Sequence, residues 1–465
     1  SVVRCVVASP TATCTDTGLT NGTAYHYKIF TRDTNANYSA TGVVPSGSPY
    51  TPAGPGCYSV ATGNWSATST WADSPGGTAG TCPGAGNVPD GSTPAYINFT
   101  ATSHTVTVDI TTAAATLVRI GTPGTGTAGL AMSSGTLDVG SSVTLVGGTG
   151  TKKALLSFTT GTLKVGGTIT ESGATDVTFG TGTVEYDGTG AQAVGTYGYY
   201  DLTINKSGGT ATTSGNITIG NNLTLTTGTL NIAANSIDRG AAGGTFTLGS
   251  GSLLQIAAAN LPANYTTVSI ATDSTVEYNP SFNMTVPAPG GSANYGNLLL
   301  SNSGNRAFNA AMTINGNLTA TGTVALVMNA GITVNGNVDL GASTSFDPKA
   351  YTHTFKGNYA NNGSTVSDAT NTSTVIMNGT SAQAISGTGL YFYNLTANNS
   401  LGVTTSTSFS IAKNFTNDAG FGVTGTPTTT FNGTTAQTIT ATVATTFYNL
   451  VFNNTAGFTI SSGNV

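Results

Sequence analysis

Phe392-Tyr393-Asn394-Leu395-Thr396-Ala397-Asn398-Asn399 is the stretch that decides the fold. It returns as Phe447-Tyr448-Asn449-Leu450-Val451-Phe452-Asn453-Asn454 and, more weakly, as Tyr199-Tyr200-Asp201-Leu202-Thr203-Ile204-Asn205-Lys206. Its most degraded copy is Tyr295-Gly296-Asn297-Leu298-Leu299-Leu300-Ser301-Asn302. At period two, Tyr393, Leu395 and Ala397 fall on one side, and Asn394, Thr396 and Asn398 on the other. In the last copy the first set is Tyr448, Leu450 and Phe452. Successive strand side chains point to opposite faces, so this alternation predicts a half-buried β-strand.

A second element follows each copy at a nearly constant distance. Leu202 is followed by Leu223, Leu298 by Leu318 and Leu395 by Phe415, in steps of 21, 20 and 20 residues. A fixed step of that size between strands, with no helical stretch between them, is the mark of a solenoid coil. One coil cannot bury its apolar face alone, and stacked coils share a continuous core. The predicted core therefore includes Leu202, Leu223, Leu298, Leu318, Leu395, Phe415 and Leu450, with Asn394 and Asn449 facing out or laddering with their neighbours. A longer period lies above the coil: 96 residues from Leu202 to Leu298, 97 from Leu298 to Leu395, and 55 from Leu395 to Leu450. The short last interval predicts that whole coils have been gained or lost.

A shared element also lies upstream. Thr183-Val184-Glu185-Tyr186 precedes Ala191-Gln192; it recurs as Thr275-Val276-Glu277-Tyr278, as Thr374-Val375-Ile376-Met377 before Ala382-Gln383, and as Thr430-Phe431 before Ala436-Gln437. An array of β-sandwiches could also produce Thr/Gly-rich strands. Several spaced motifs in the same order favour duplication within a solenoid.

The chain has 465 residues, of which 7% are charged, against roughly 25% in ordinary soluble domains. Disorder goes with low hydrophobicity and high charge, and charge is scarce here. A folded chain with a Thr/Ser/Asn/Gly surface follows, and such a surface offers little electrostatic resistance to self-association. The net charge of −5 and the lack of a basic cluster beyond Lys152-Lys153 argue against nucleic acid as a partner. No apolar run is long enough for a transmembrane helix, so no membrane span is expected. No signal peptide stands at Ser1, which predicts a mature, processed or truncated chain.

Three regions follow from the pattern. Residues 1–52 contain Leu19-Thr20-Asn21-Gly22-Thr23-Ala24-Tyr25 and then the strand Tyr25–Asp33, with Asn37-Tyr38-Ser39 leading into a last strand. The L-x-x-G-x-x-Y corner followed by Y-x-Y-x-I-F resembles the closing half of a fibronectin type III domain. That resemblance implies a partial β-sandwich with Tyr25 as its tyrosine-corner residue. Pro45 to Gly56 reads as a linker. Residues 53–110 hold both tryptophans, in Gly63-Asn64-Trp65-Ser66 and Ser69-Thr70-Trp71, then Val88-Pro89-Asp90 and Thr105-Val106-Thr107-Val108-Asp109. This order resembles the opening segment of many bacterial secreted parallel β-helix proteins and implies a cap in which Trp65 and Trp71 cover the first coil. The alternative is that the two rings form a carbohydrate platform. From residue 111 to 465 short β runs alternate with Gly, Asn and Ser-Gly turns, which suit coil corners. The expected fold is all-β: a parallel β-helix preceded by a cap and a partial fibronectin III-like sandwich.

The four cysteines, Cys5, Cys14, Cys57 and Cys82, all lie in the first 82 residues. Their spacing is unlike that of a zinc site. Local pairing of Cys5 with Cys14 and of Cys57 with Cys82 is the simplest of three connectivities, with free buried thiols as the alternative. Disulfides imply an oxidising, extracellular setting. His26, His104 and His353 stand alone in strand-like runs and are expected at the surface or in the cap.

Enzymes built on β-helices need converging carboxylates, or a carboxylate with a basic residue. This chain has three Glu (Glu171, Glu185, Glu277) and fifteen scattered Asp. Its closest grouping is Asp176, Glu185, Asp187 and Asp201, and Glu185 and Glu277 occupy equivalent repeat positions. No catalytic residue, metal ligand or cofactor is therefore expected. The expected function is that of an extracellular, bacterial surface protein: a fibre subunit or stalk whose partner is itself, stacked head to tail, or other surface components. A carbohydrate-binding adhesin is the alternative, and a β-helix polysaccharide lyase or hydrolase a second one.

Overall fold

The computed structural model describes residues 16, 25–44, 55–97, 102–122, 126–148, 152–290, 293–366 and 371–461. Cys5, Cys14 and nearly all of the expected 45–56 linker lie outside them. The described chain is nearly all β, and its coils are parallel, about 17 turns in all. It divides into two compact units, the first made of residues 1–138, 144–156 and 171–176, the second of the remainder.

In the first unit, residues 25–44 form an antiparallel hairpin with bridges Ile29–Val43 and Arg32–Tyr38. Its turn is closed by Asp33, whose carboxylate accepts from the backbone N–H groups of Asn35 and Asn37. Ile29, Tyr38 and Val43 are exposed. The hairpin agrees with the expected strands, but no described sandwich covers it, and most of the fibronectin III-like segment falls on residues outside the description. The parallel ladder begins at Cys57–Ser59, within the stretch expected to be a cap. That strand pairs in parallel with Ala95–Ile97, which pairs with Val118–Ile120. On its other side it pairs antiparallel with Trp71–Ala72. Cys57 is bonded to Cys82.

In the second unit the sequence steps reappear as hydrogen-bonded register. Leu202 lies beside Leu223, Leu298 beside Leu318, and Leu395 beside Phe415. All six are buried. The upstream element is the strand beneath the aromatic one in every copy. Val184 pairs with Leu202, Val276 with Leu298, Val375 with Leu395 and Thr429 with Leu450. Each module thus brings its own two-strand ladder.

The copies do not lie on one face. The ladder of Leu298 and Leu318 runs on to Val338 and Tyr359. Leu395 belongs to a different sheet, reached through His353 and Val375. Leu450 belongs to a third, beyond Phe409 and Thr429. The 97- and 55-residue intervals are therefore not whole numbers of coils, which corrects the expectation of whole coils gained or lost. Each interval includes a fraction of a coil that moves the motif to another face. The physical reason is that each face asks for the same thing, a short strand with alternate apolar side chains followed by a corner. At those corners the backbones approach closely: a Cβ added to Gly357 would lie 2.4 Å from backbone atoms of Gly336.

Two burial expectations change. Leu450 is only half-buried, and Tyr448 and Phe452 are exposed. Their strand has a partner on one side only among the described residues, so half of the expected packing is missing. His353 is buried in the solenoid and not superficial, whereas His104 is buried within the segment expected to be the cap and His26 is exposed, as expected.

Candidate functional site

The most specific side-chain chemistry sits in the turns between strands. Gln192 Oε1 accepts from Gly188 N–H, and its Nε2 donates to the carbonyls of Val165 and Gly167. Gln383 makes the same set with Gly379, Phe355 and Gly357. Gln437 makes it again with Gly433, Ile411 and Lys413. All three amides are buried. Each ties its own turn to the coil beneath, satisfying backbone groups that cannot reach water.

A second donor completes each clamp from the end of the aromatic strand. Asn399 Nδ2 reaches Gln383 Oε1 and the carbonyl of Ser381. Asn454 Nδ2 reaches Gln437 Oε1 and the carbonyl of Thr435. At the same motif position the first copy has Lys206, whose Nζ donates to Gln192 Oε1 at 2.5 Å and to the carbonyls of Gly188 and Gly190. The second copy has Met284 where the others have glutamine, and there the buried Arg306 donates to the carbonyls of Pro280, Phe282 and Ser301. Burial lowers the pKa of Lys206, opposed by the charge of Asp187, and burial lowers that of Arg306. Three carbonyl oxygens about an ammonium, or about a guanidinium, offset the desolvation of a buried cation.

The aromatic positions are paired in the same way. The Tyr186 and Tyr199 hydroxyls meet at 3.0 Å, as do those of Tyr278 and Tyr295. Burial pushes Tyr186 up to about 12. In the last copy the pair is Phe431 and Phe447, edge to face.

Along a corner, asparagines form a ladder. Asn297, Asn317 and Asn337 each accept, through Oδ1, from the backbone N–H of the residue one coil further on: Asn317, Asn337 and Asn358. Asn394 ladders likewise to Asn414 N–H, and Asn449 is exposed. Both outcomes match the expectation for these two residues.

The carboxylates are engaged between coils. Glu185 accepts from Lys164 Nζ at 3.1 Å and from Asn205. Glu277 accepts from Gln255 and Ser301, Asp201 from Asn221 and Asn222, and Asp176 lies 3.7 Å from Lys153. Among the described residues no three His, Cys, Asp or Glu converge as a metal site. No helix among them is long and apolar enough to cross a membrane. Two shallow recesses of about 230 and 300 Å³ lie along residues 216–262 and 260–290. The titratable side chains lining them are Asp238 in the first and Tyr265 in the second. Trp65 and Trp71 are fully buried, edge to face, with Trp71 Nε1 donating to the carbonyl of Trp65. Neither ring is presented to solvent as a sugar platform.

The last described coil differs from the rest. Asn449–Phe452 and Phe458–Ile460 each pair on one side only. Tyr448, Val451, Phe452, Phe458 and Ile460 are exposed, and Phe452 stacks on Phe458 at 3.8 Å. The fold defines the class, a parallel β-helix repeat protein. Comparison with protein-family models, with curated proteins and with solved structures gives no match to this chain.

Proposed function

We propose that this chain is a structural protein of the bacterial cell exterior, a fibre subunit or stalk segment in which β coils stack end to end. One observation carries the reading: the coils stack one upon the next in parallel register, as from Leu298 through Leu318 and Val338 to Tyr359. A parallel ladder of this kind can be extended strand by strand at its edges, and a heterologous contact that does not close gives a filament. The low charge of the surface permits that stacking. The Cys57–Cys82 disulfide supports an oxidising location. Glu185, Glu277 and Asp201 are engaged in inter-coil contacts, which favours a structural role over a hydrolase.

Sedimentation velocity over a concentration series, with electron microscopy of the same samples, tests the reading. Association into linear species is expected. A chain that stays monomeric at high concentration and forms no fibres contradicts the reading.

A further inference from the structure

One outward sheet face of the second unit carries two columns of mostly threonine side chains, of which only Asn394, Asn414 and Thr374 take part in the inter-coil ladder. Its first column runs, coil by coil in hydrogen-bonded register, through Thr354, Ile376, Thr396, Thr416 and Thr440. Ser461 continues it, its hydroxyl 3.0 Å from that of Thr440. A second column lies two residues earlier on the same strands: Thr352, Thr374, Asn394, Asn414, Thr438 and Thr459. No residue of either column is charged; Lys356 and Asp418 stand at the strand ends beside them. Among the described residues the hydroxyls of Thr354, Thr396 and Thr416 make no hydrogen bond. Between the columns the inward residues His353, Val375, Leu395, Phe415 and Ile439 are buried, which fixes each strand from behind.

The backbone sets the net's dimensions. Neighbouring strands lie about 4.8 Å apart, and positions two apart along a strand lie about 6.7 Å apart. The first repeat is slightly longer and the second slightly shorter than the oxygen repeats on the prism faces of hexagonal ice, so the net is a near match to that lattice. Each threonine offers a hydroxyl that can hold a water and a methyl that restricts the orientation of its neighbours. The rigid strands position these groups before any ligand arrives, which lowers the ordering cost of binding. Saccharide sites are ordinarily concave, with aromatic walls and a few convergent polar groups; these columns contain no aromatic residue.

We propose that this threonine face binds ice, adsorbing to the crystal through an ordered water layer matched to the two columns. The proposal does not depend on end-to-end stacking. It is tested on the intact chain with ice itself as the probe, by measuring the gap between melting and freezing temperatures and the inhibition of ice recrystallisation. A measurable gap and suppressed recrystallisation are expected. The T396Y/T416Y variant should lose at least four-fifths of both effects, while T319Y, on another sheet, should keep them. Circular dichroism checks that each variant is folded, and if the double variant misfolds, the unmodified chain still decides. Absence of both effects at millimolar protein overturns the proposal. So does full retention in the folded double variant, or binding to crystalline cellulose or chitin with none to ice.

Discussion

Lys206 and Gln192 meet at 2.5 Å, Nζ to Oε1, with both side chains buried inside a turn of the solenoid. The relationship explains how one turn shape is kept while its residues change. Asn399 stands to Gln383, and Asn454 to Gln437, as Lys206 stands to Gln192.

Lys206→Met should destabilise the protein by about 2–4 kcal/mol, because it strands the carbonyl oxygens of Gly188 and Gly190 without this donor and leaves Gln192 Oε1 with Gly188 N–H alone. Lys413→Met removes exposed contacts to Thr435 and Ala436 and should cost within about 0.5 kcal/mol. Urea unfolding followed by circular dichroism compares them. Equal effects would mean that the turn clamp adds nothing.

Leu395 is buried between Val375 and Phe415, whereas Leu450 has a strand on one side only. Leu395→Ala should cost about 2–5 kcal/mol, and Leu395→Asp more, since it buries a charge. Leu450→Ala should cost less than half as much as Leu395→Ala. Thermal melts of the three variants give the order directly.

Asn337 accepts the N–H of Asn358 at 2.8 Å and stands in the middle of a ladder. Asn337→Ala should cost about 1 kcal/mol and speed amide hydrogen exchange at Asn358. Unchanged exchange there would remove the ladder from the account.

The pH response has two parts. His353 is buried, with its Nε2–H donating to the Pro348 carbonyl at 2.9 Å, and burial lowers its pKa. The unfolded chain, with a histidine pKa of about 6.5, takes up that proton first. The associated stability is therefore present above about pH 6.5 and declines as pH falls toward the folded value. Asp90 is held down to about 2 by Ala85 N–H and by Ser92. Its contribution is complete above the ordinary 3.8 and is lost as pH falls toward 2. Melting temperatures from pH 8 to pH 3 should show a decline below pH 6.5 that His353→Gln reduces.

Much of the fold was legible because strand alternation and a 20-residue step are local properties of a chain. Leu202, Leu298 and Leu395 named their partners before any coordinates. The face each copy occupies was not legible, since a strand suits any of the faces equally. Ala191-Gln192 and its counterparts were visible as a motif, but hydrogen bonds to Val165 and Gly167, some 25 residues back, are tertiary facts. The exchange of Gln192 for Met284 was a usable signal, since a turn that loses its amide needs another donor, and Arg306 supplies it. Burial of His353 was missed because a strand's inward set is readable only when its apolar neighbours declare it. Val375 and Leu395 declare the inward set for His353, but only after register is known.

The central claim, that modules change face by a fraction of a coil, is tested most directly by cysteine trapping. In the structure Ile376 and Thr396 are register partners on one sheet, whereas Ser386 lies on another, beside Ala360. An Ile376→Cys/Thr396→Cys pair should form a disulfide readily under mild oxidation, identified by peptide mapping. A Ser386→Cys/Thr396→Cys pair should not. Trapping of the second pair in preference to the first would contradict the account.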